Sequence, residues 1–432
     1  MMRRVFILLI LFAVMVVNGL MFTGEKKVEA KEVTLLFWTH EDPNRTPLEE
    51  GYIKEFQKKY PNVTIKRVTI PSKKVQEKIL TAFAVRKGPH IFNMEINIEY
   101  QYIINARVAP IDPEAAGYQN KQAIYDAYLE GTLDAVTYQG DLYGLPLELT
   151  NWLPFLNKKY FREVGLDPEK DYPKTWEEML EVADKITIRE GEIIQRRAFD
   201  FRYPYQLEVL LPMVQQLGGS FLSEDGKRSA INSEAGLRVL QYMVEWGPNG
   251  RNFGSPTYRN ARKTFNKDDG SVAMCLSGLY QIARIEAQNP AFYESKEWSV
   301  IPFPRFADAV SDNGTSYYGH FYMVNAEKPD YDREIAWRLI GYMLKHSEEY
   351  LAEVGLVQPK KSLLASEVYK NYPYANVFIE DMAKSSSVLI HKNAPKFQEL
   401  LSEAVESVML AGVDPKKALE RIERKTNEIL GE

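Results

Sequence analysis

The residues best suited to ligand chemistry lie where a strand pattern changes into a polar loop. The apolar run from Glu32 to Trp38 ends in a charged and polar cluster that contains His40, Glu41, Asp42 and Arg45. An aromatic ring beside such groups suits a sugar, because the apolar face of a pyranose stacks on the ring while its hydroxyls bond to the charged groups. The sequence therefore predicts a sugar-binding junction here, with the alternative that Trp38 is a core aromatic.

A second set of candidates flanks later strand patterns. Glu95 belongs to the third of these patterns, and Glu148, Asn151 and Trp152 border the turn-rich segment from Tyr138 to Leu149. This segment carries a Gly-Asp turn and then a proline, which is typical of a hairpin that leads into a crossing segment. We expect the first crossing between two domains at this point.

Glu148 and His320 are expected to face the same cleft. Each residue borders an apolar segment that could connect two domains, and each has an aromatic neighbour, Trp152 or Tyr318. A ring beside a polar group can hold a sugar while the polar group fixes one hydroxyl. The alternative is that Glu148 is a solvated acid and His320 a hydrogen-bonded structural residue.

The elements that would position these residues alternate in type. Strand patterns cover Glu32 to Trp38, Val63 to Ile70 and His90 to Ile96, and helical patterns cover Glu49 to Tyr60 and Lys73 to Val85. Such alternation predicts a mainly parallel sheet covered by helices, which is an α/β fold.

The second half of the chain is predicted to be helix-rich as far as about Ala291. Thr175 and Glu178 have the spacing of a capping box at the start of one helix. Short strands are predicted over Trp298 to Pro304 and His320 to Asn325. The later helical patterns cover Arg333 to His346, Phe397 to Leu410 and Pro415 to Leu430.

The signatures of most enzyme classes are absent from the sequence. It has no glycine-rich phosphate loop, no nucleophile elbow and no two-histidine metal motif. Its single cysteine, Cys275, excludes an intramolecular disulfide and a zinc cluster. The histidines are far apart in sequence, so we predict no metal site, no cofactor and no catalytic residue; they are His40, His90, His320, His346 and His391.

The first residues resemble a secretory signal. Arg3 and Arg4 precede an apolar run from Val5 to Val17, and a small residue, Ala30, stands where a signal peptidase could cut. This pattern predicts a signal peptide over residues 1–30 and a periplasmic or extracellular protein. The alternative is an uncleaved membrane anchor, because apolar character continues to Phe22.

Charge and length limit the remaining possibilities. Without residues 1–30 the formal net charge changes from -5 to -7, which leaves no electrostatic footprint for nucleic acid. Roughly 400 remaining residues are too many for one hydrophobic core, so two domains are expected.

The order of several segments resembles that of the family 1 extracellular solute-binding proteins, the maltose-binding-protein-like receptors of ABC importers. The matching segments are VTLLFW, EFQKKYPNVTIK, GDLYGLPLELTNW, FLNKKYFREVGL, KTWEEMLEVADKI, GSVAMCLSGLY, WSVIPFPR, YYGHFYMVNA and VGLVQPKKSLL. Each segment is loosely defined, but their joint order over residues 33–430 is specific. The usual lipoprotein cysteine is absent, which indicates a soluble receptor of a two-membrane cell or an uncleaved anchor.

The resemblance implies a type II periplasmic-binding-protein fold, with two α/β lobes joined by three crossovers. The implied N-lobe comprises residues 31–148 and 322–355, and the implied C-lobe comprises residues 149–321 and 356–432. The resemblance adds Ser277 and Tyr280 at a helix start to the candidate site. Tyr205 is a further candidate, in a stretch where the family varies.

The implied function is capture of a mono- or oligosaccharide between the lobes by a monomer. The receptor would then deliver the sugar to a membrane permease with a cytoplasmic ATPase. Two alternatives stay open: a secreted carbohydrate-active enzyme with a carboxylate pair in the cleft, and a receptor for a solute other than a sugar.

Overall fold

The computed structural model of the protein describes residues 31–386 and 389–431, so the predicted signal peptide lies outside the described residues. In chain order the strands are β1 Val33–His40, β2 Val63–Ile70, β3 Ile91–Glu95, β4 Thr137–Tyr138, β5 Asp141–Leu142, β6 Leu145–Thr150, β7 Leu153–Asn157, β8 Ile188–Glu190, β9 Ile193–Asp200, β10 Val272–Ser277, β11 Trp298–Val300 and β12 Tyr318–Val324. In these described ranges no helix is both long enough and apolar enough to cross a membrane.

Helices cover the remaining regular structure. In chain order they are α1 Arg45–Lys59, α2 Ser72–Ala84, α3 Glu99–Ile104, α4 Lys121–Ala127, α5 Lys158–Glu163, α6 Trp176–Ile186, α7 Gln206–Gln216, α8 Glu234–Trp246, α9 Ala261–Lys267, α10 Gln281–Gln288, α11 Pro290–Ser295, α12 Asp330–Leu344, α13 Ser347–Glu349, α14 Lys361–Leu364, α15 Glu367–Lys370, α16 Ala375–Met382, α17 Ala394–Leu410 and α18 Pro415–Gly431. A 3₁₀ turn, Asp134–Val136, and a π-helical turn, Tyr350–Val354, complete the list.

The first sheet has the strand order β2-β1-β3-β12-β6. Strand β1 runs parallel to β2 and β3, as the alternating pattern predicts, whereas β12 runs antiparallel to both β3 and β6. All seven residues of β12 are buried, because helices and neighbouring strands surround it. Strand β12, the last strand of this sheet in chain order, therefore lies inside the sheet between β3 and β6.

The second sheet has the strand order β11-β7-β10-β9-β8. Its centre is formed by β10, parallel to β9 and antiparallel to β7. The region up to Ala291 is therefore less helical than predicted, since it contributes β8, β9 and β10 to this sheet. Fully apolar runs such as that of β10 fit a strand that is buried on both faces, and they lack the alternation that marks a half-exposed strand.

The chain passes between the two sheets three times. It leaves the first sheet after Thr150, returns before Tyr318, and leaves again along the segment from Gly355 to Lys360. The carbonyl of Val357 accepts a hydrogen bond from the Leu149 backbone N–H at 2.8 Å, so the third passage runs beside the first. The whole of β12, from Tyr318 to Val324, belongs to the first sheet.

Local sequence signals explain several of the helix limits. Thr175 and Glu178 form the predicted capping box at the start of α6: the Thr175 hydroxyl accepts from the Glu178 N–H, and the Glu178 carboxylate accepts from the Thr175 N–H. Asp414 accepts from the first N–H groups of α18, at Lys416 and Lys417, and Pro415 opens that helix.

Candidate functional site

Strand register brings three of the predicted site residues into one row. His320 on β12 pairs with Glu95 on β3 at one side and with Glu148 on β6 at the other. Directly paired residues of adjacent strands project to the same face of a sheet. The ring Nδ1 of His320 lies 2.8 Å from Oε1 of Glu148, and both side chains are buried. The two side chains are thus in contact, and Glu148 is not the solvated acid of the alternative interpretation. That both residues face a bound ligand stays a prediction.

A close approach of backbones produces this contact. A β-bulge follows His320, and the preceding residue, Gly319, lies directly against the carbonyl of Glu148. A side chain at Gly319 would overlap that carbonyl, so only glycine allows β12 to lie this near β6.

His40 joins the same group from the end of β1. Its backbone N–H donates to Oδ1 of Asn93 at 2.9 Å, and its Nδ1 lies 2.6 Å from Nδ2 of Asn93. The His40 and His320 rings have centroids 4.2 Å apart. Burial, together with the positive charge of Arg45 and the neighbouring His320, holds the pKa of His40 well below its usual range.

The sequence predicts no metal site, because its histidines are far apart along the chain. In the fold, however, ligand atoms of His40, Glu148 and His320 all lie within 4.8 Å of one another. Among the described residues this is therefore the group whose donor types could hold a metal ion if the side chains moved closer together.

An aromatic cluster stands next to these polar groups. Trp152 is fully buried, with its ring centroid 5.1 Å from that of Tyr205 and 4.7 Å from that of Tyr318. The guanidinium of Arg202 lies 3.6 Å from the centre of the Trp152 ring and donates to the Tyr280 hydroxyl at 2.6 Å. Arg202 has a φ of +61°, a conformation that residues other than glycine rarely adopt and that is frequent at functional sites.

A cavity of about 310 Å³ opens between the two lobes beside this cluster. Its wall combines groups from the first sheet and from α2 with groups from α17 and the loop before α7. The lining residues that matter here are His40, Asn93, Glu95, Asn97, Tyr205, Tyr318, His320 and Gln398. The volume lies at the small end of the range for ligand pockets in proteins.

Two carboxyl groups dominate the electrostatics near the cavity. Burial, with the nearby charge of Glu208, raises the pKa of Glu95 to about 8. Burial also raises the pKa of Glu208 to about 7, although hydrogen bonds from Gln398 and Asn97 act in the opposite direction and lower this pKa. Asn97 belongs to the N-lobe and Glu208 to the C-lobe, and their 3.2 Å hydrogen bond spans the cleft.

Asn151, Ser277 and Tyr280, which the sequence predicts as site residues, are not among the residues that line the cavity. Asn151 donates to Asp381 at 3.3 Å, and the Ser277 hydroxyl donates to Gln281 at 3.1 Å. Arg284 stacks on the Tyr280 ring, with its guanidinium 4.4 Å from the ring centre. These contacts support the walls of the cleft from the C-lobe side.

Three candidates at the first junction are placed differently from the prediction. Strand β1 continues two residues past Trp38, so Trp38 lies half-buried within the strand, and His40 stands at its end. Glu41 is exposed. Arg45 is fully buried in the first turn of α1, where it pairs with Glu49 and donates to the His40 carbonyl. Its role is thus to hold the loop and not to face the cavity.

Other residues that line the cavity, and Glu208 beside them, were not among the sequence candidates. Asn93 and Asn97 lie two residues on either side of Glu95, and alternation along an extended chain could have indicated that Asn93 shares its face. Glu208 and Gln398 lie on helices distant in sequence, and no local pattern marks them. Their position depends on how the C-lobe helices fold back against the N-lobe.

Comparison with known proteins places this architecture in a family. The model of the bacterial extracellular solute-binding proteins matches residues 51–376, and the chain belongs to that family. An ABC transporter solute-binding protein of Thermotoga lettingae, solved with α-D-tagatose, is 21% identical and superposes with a TM-score of 0.79, covering 93% of this chain and 100% of that one. The members of this family are extracellular solute-binding proteins of bacteria.

Two further relatives are similarly distant in sequence. The GacH receptor of Streptomyces glaucescens, solved without ligand and with acarbose, is 19% identical with a TM-score of 0.78, covering 92% of this chain and 98% of that one. An arabinooligosaccharide-binding protein of Halalkalibacterium halodurans is 21% identical over 49% of this chain and 45% of its own length. The chain spans about half the length of the first curated relatives it matches. The structural likeness confirms the type II periplasmic-binding-protein fold.

Proposed function

We propose that this protein captures a mono- or oligosaccharide between its lobes and delivers it to the permease of an ABC importer with a cytoplasmic ATPase. The observation that carries the proposal is the composition of the interlobe cavity. Two tyrosine rings, Tyr205 and Tyr318, stand beside amide, imidazole and carboxyl groups. A sugar needs this combination, because its ring faces are apolar while its edge carries hydroxyls that both donate and accept.

The cavity groups come from both lobes, which suits capture by closure. Asn93 and Asn97 belong to the N-lobe, whereas Tyr205 and Gln398 belong to the C-lobe. A ligand that contacts both sides stabilises the closed arrangement more than the open one. Only narrow connecting segments join the lobes, so they can act as the hinge.

The ligands of related proteins support the same ligand class. The relatives include an arabinooligosaccharide-binding protein and receptors solved with tagatose and with acarbose. We propose that this chain also binds a carbohydrate, but we do not propose that its ligand is one of these particular sugars. We further propose that the mature protein is a periplasmic or extracellular monomer, exported by the segment formed by residues 1–30.

A secreted carbohydrate-active enzyme is the second candidate, because Glu95 and Glu208 are two buried carboxyl groups near one cavity. Glycosidases use such a pair, with one carboxyl kept protonated by its surroundings. Incubation of the purified protein with oligosaccharides separates the two functions. A receptor returns every sugar intact, whereas an enzyme produces shorter chains.

A thermal-shift screen over mono- and oligosaccharides tests the proposed ligand class. A ligand that binds only the folded protein raises its melting temperature by an amount that grows with concentration. Amino acids, polyamines and phosphodiesters are included as other solutes. A shift with a carbohydrate supports the proposal, and a shift confined to one of the other solutes contradicts it.

A further inference from the structure

We propose that His40, Glu148 and His320 bind one divalent transition-metal ion of the zinc class. One ligand atom from each side chain lies within 4.8 Å of the other two, and all three side chains are buried. The residues lie on β1, β6 and β12, which all belong to the first sheet. The site is therefore complete within the N-lobe and depends neither on lobe closure nor on the proposed sugar.

The surrounding contacts orient two of the ligands. The Asn93 side chain fixes the position of the His40 ring: its oxygen accepts the His40 backbone N–H at 2.9 Å, and its N–H donates to Nδ1 of His40 at 2.6 Å. The neutral His40 ring therefore carries its proton on Nε2, and an ion that binds at Nε2 must displace this proton. The Glu148 carboxylate already lies 2.8 Å from the ring of His320.

The spacing is close to what an ion requires. Zinc bonds to nitrogen and oxygen are about 2.1 Å long, so tetrahedral ligand atoms lie about 3.4 Å apart. The ligand atoms lie within 4.8 Å of one another, so the side chains must move closer together to bind an ion. The His40 and His320 rings lie nearly face to face, with centroids 4.2 Å apart and planes tilted by 32°, so both rings must turn for their nitrogen atoms to face one ion.

The donor set identifies the class of ion. Two imidazoles and one carboxylate suit zinc and neighbouring first-row metals, whereas magnesium and calcium prefer oxygen ligands. Three protein ligands leave a fourth position for another group. Because His40 and His320 both line the cavity, this position would face the cavity and could take water or a hydroxyl of a bound molecule.

Carboxylate partners reduce the repulsion that the nearby arginines exert on a cation, although Glu49 serves both Arg45 and Arg67. Arg45 pairs with Glu49, and Arg284 pairs with Asp42. Glu148 then contributes a negative charge directly to the ligand set. The local charge is thus compatible with a divalent ion.

Zinc binding is measured on the purified full chain without sugar, after treatment with a chelator and dialysis. Competition with a chromophoric chelator gives the affinity for Zn²⁺, and Co²⁺ absorption reports the coordination geometry. We expect one ion per chain, with a four-coordinate Co²⁺ spectrum. Glu148→Gln and His320→Ala should each abolish stoichiometric binding, and Asn93→Ala should weaken it by about 10- to 100-fold.

His346→Ala is the matched control, because His346 also lies beside a carboxylate, Glu349 at 3.0 Å, on the surface and outside the proposed site. It should bind zinc like the parent protein. Circular dichroism without metal verifies that each variant is folded, and His40→Asn replaces any variant that is not. Absence of stoichiometric binding, or equal affinity in Glu148→Gln and the parent, would show that the three residues are only a hydrogen-bonded network. Either result leaves the carbohydrate proposal intact, since that is tested by sugar binding alone.

Discussion

Asp42 and Arg284 form a 3.0 Å salt bridge between two lobes of the same chain. Asp42 lies in the loop after β1, and Arg284 lies on α10 of the C-lobe. Although burial opposes it, the positive charges of Arg284 and Arg45 hold the pKa of Asp42 below its usual range. The ionised pair therefore connects the lobes at the rim of the cleft.

Breaking this bridge should favour the open arrangement. In Asp42→Asn the amide oxygen can still accept the N–H groups of Asn44 and Arg45, so the loop is preserved while the interlobe charge pair is lost. We expect a larger radius of gyration of the ligand-free protein in small-angle scattering. Glu297→Gln breaks an ion pair with Arg162 inside the C-lobe and should change nothing. Equal radii for Asp42→Asn and the parent would remove the bridge from the closure mechanism.

Tyr205 is predicted to stack on the sugar. Tyr205→Ala should weaken carbohydrate binding about ten-fold or more, roughly 1.4 kcal/mol, because the ring face is lost. Tyr205→Phe should retain most of the affinity. Isothermal titration calorimetry measures both effects, and a Tyr205→Ala variant that binds like the parent would exclude this ring from the site.

The sequence and the structure lead to different expectations for the sugar affinity of Trp38→Ala. The sequence predicts that Trp38→Ala weakens binding, whereas the structure places this side chain inside β1 and not in the cavity wall. We now expect an unchanged affinity, with stability reduced by loss of packing. A ten-fold weaker affinity in a folded Trp38→Ala would mean that the sugar lies elsewhere.

Lys360 should make stability depend on pH. Burial lowers the pKa of Lys360 to about 8, and its ammonium group donates to the Leu344 carbonyl at 2.5 Å. The unfolded chain binds this proton up to about pH 10.5, so the folded state gains stability as pH rises from 8 toward 10.5. Between pH 7 and pH 9.5 the gain is on the order of 2 kcal/mol.

Urea denaturation measures this gain as the difference in the free energy of unfolding between the parent and Lys360→Met, at each pH. The free energy of unfolding of the parent should rise relative to that of the variant between pH 7 and pH 9.5. Lys361→Met, which changes an exposed neighbour, should follow the parent. A constant difference between the parent and Lys360→Met would mean that Lys360 has an ordinary pKa.

The capping box of α6 should contribute measurable stability. Thr175→Ala removes the acceptor for the Glu178 N–H and should lower the free energy of unfolding by about 1 kcal/mol. Glu181→Gln on the exposed face of the same helix is the control. If both variants unfold at the same urea concentration, the cap contributes nothing in this context.

Features that depend on residues close together along the chain could be predicted from the sequence. The Thr175–Glu178 box and the limits of β2 follow from spacing within a few residues. The sequence also indicates that Glu148 and His320 lie near each other, because each residue borders a crossing segment with its own signal.

Features that depend on register and on distant packing could not be predicted. Strand β1 is two residues longer than predicted, so it ends at His40 and not at Trp38. The pairing of β12 with β3 and β6 brings together side chains whose sequence separation hides their proximity. Glu208 reaches the cleft only through the fold of the C-lobe.

The most direct test of the account is a calorimetric titration of the purified protein with the carbohydrate found in the screen. We predict saturable binding of one ligand per chain, and we expect the sugar to be recovered intact. The dissociation constant should be around micromolar, which corresponds to a binding free energy of about -8 kcal/mol. We also predict that Tyr205→Ala loses at least ten-fold in affinity while Trp38→Ala does not. Saturable binding of a solute other than a carbohydrate, with no heat from any sugar, would contradict the account.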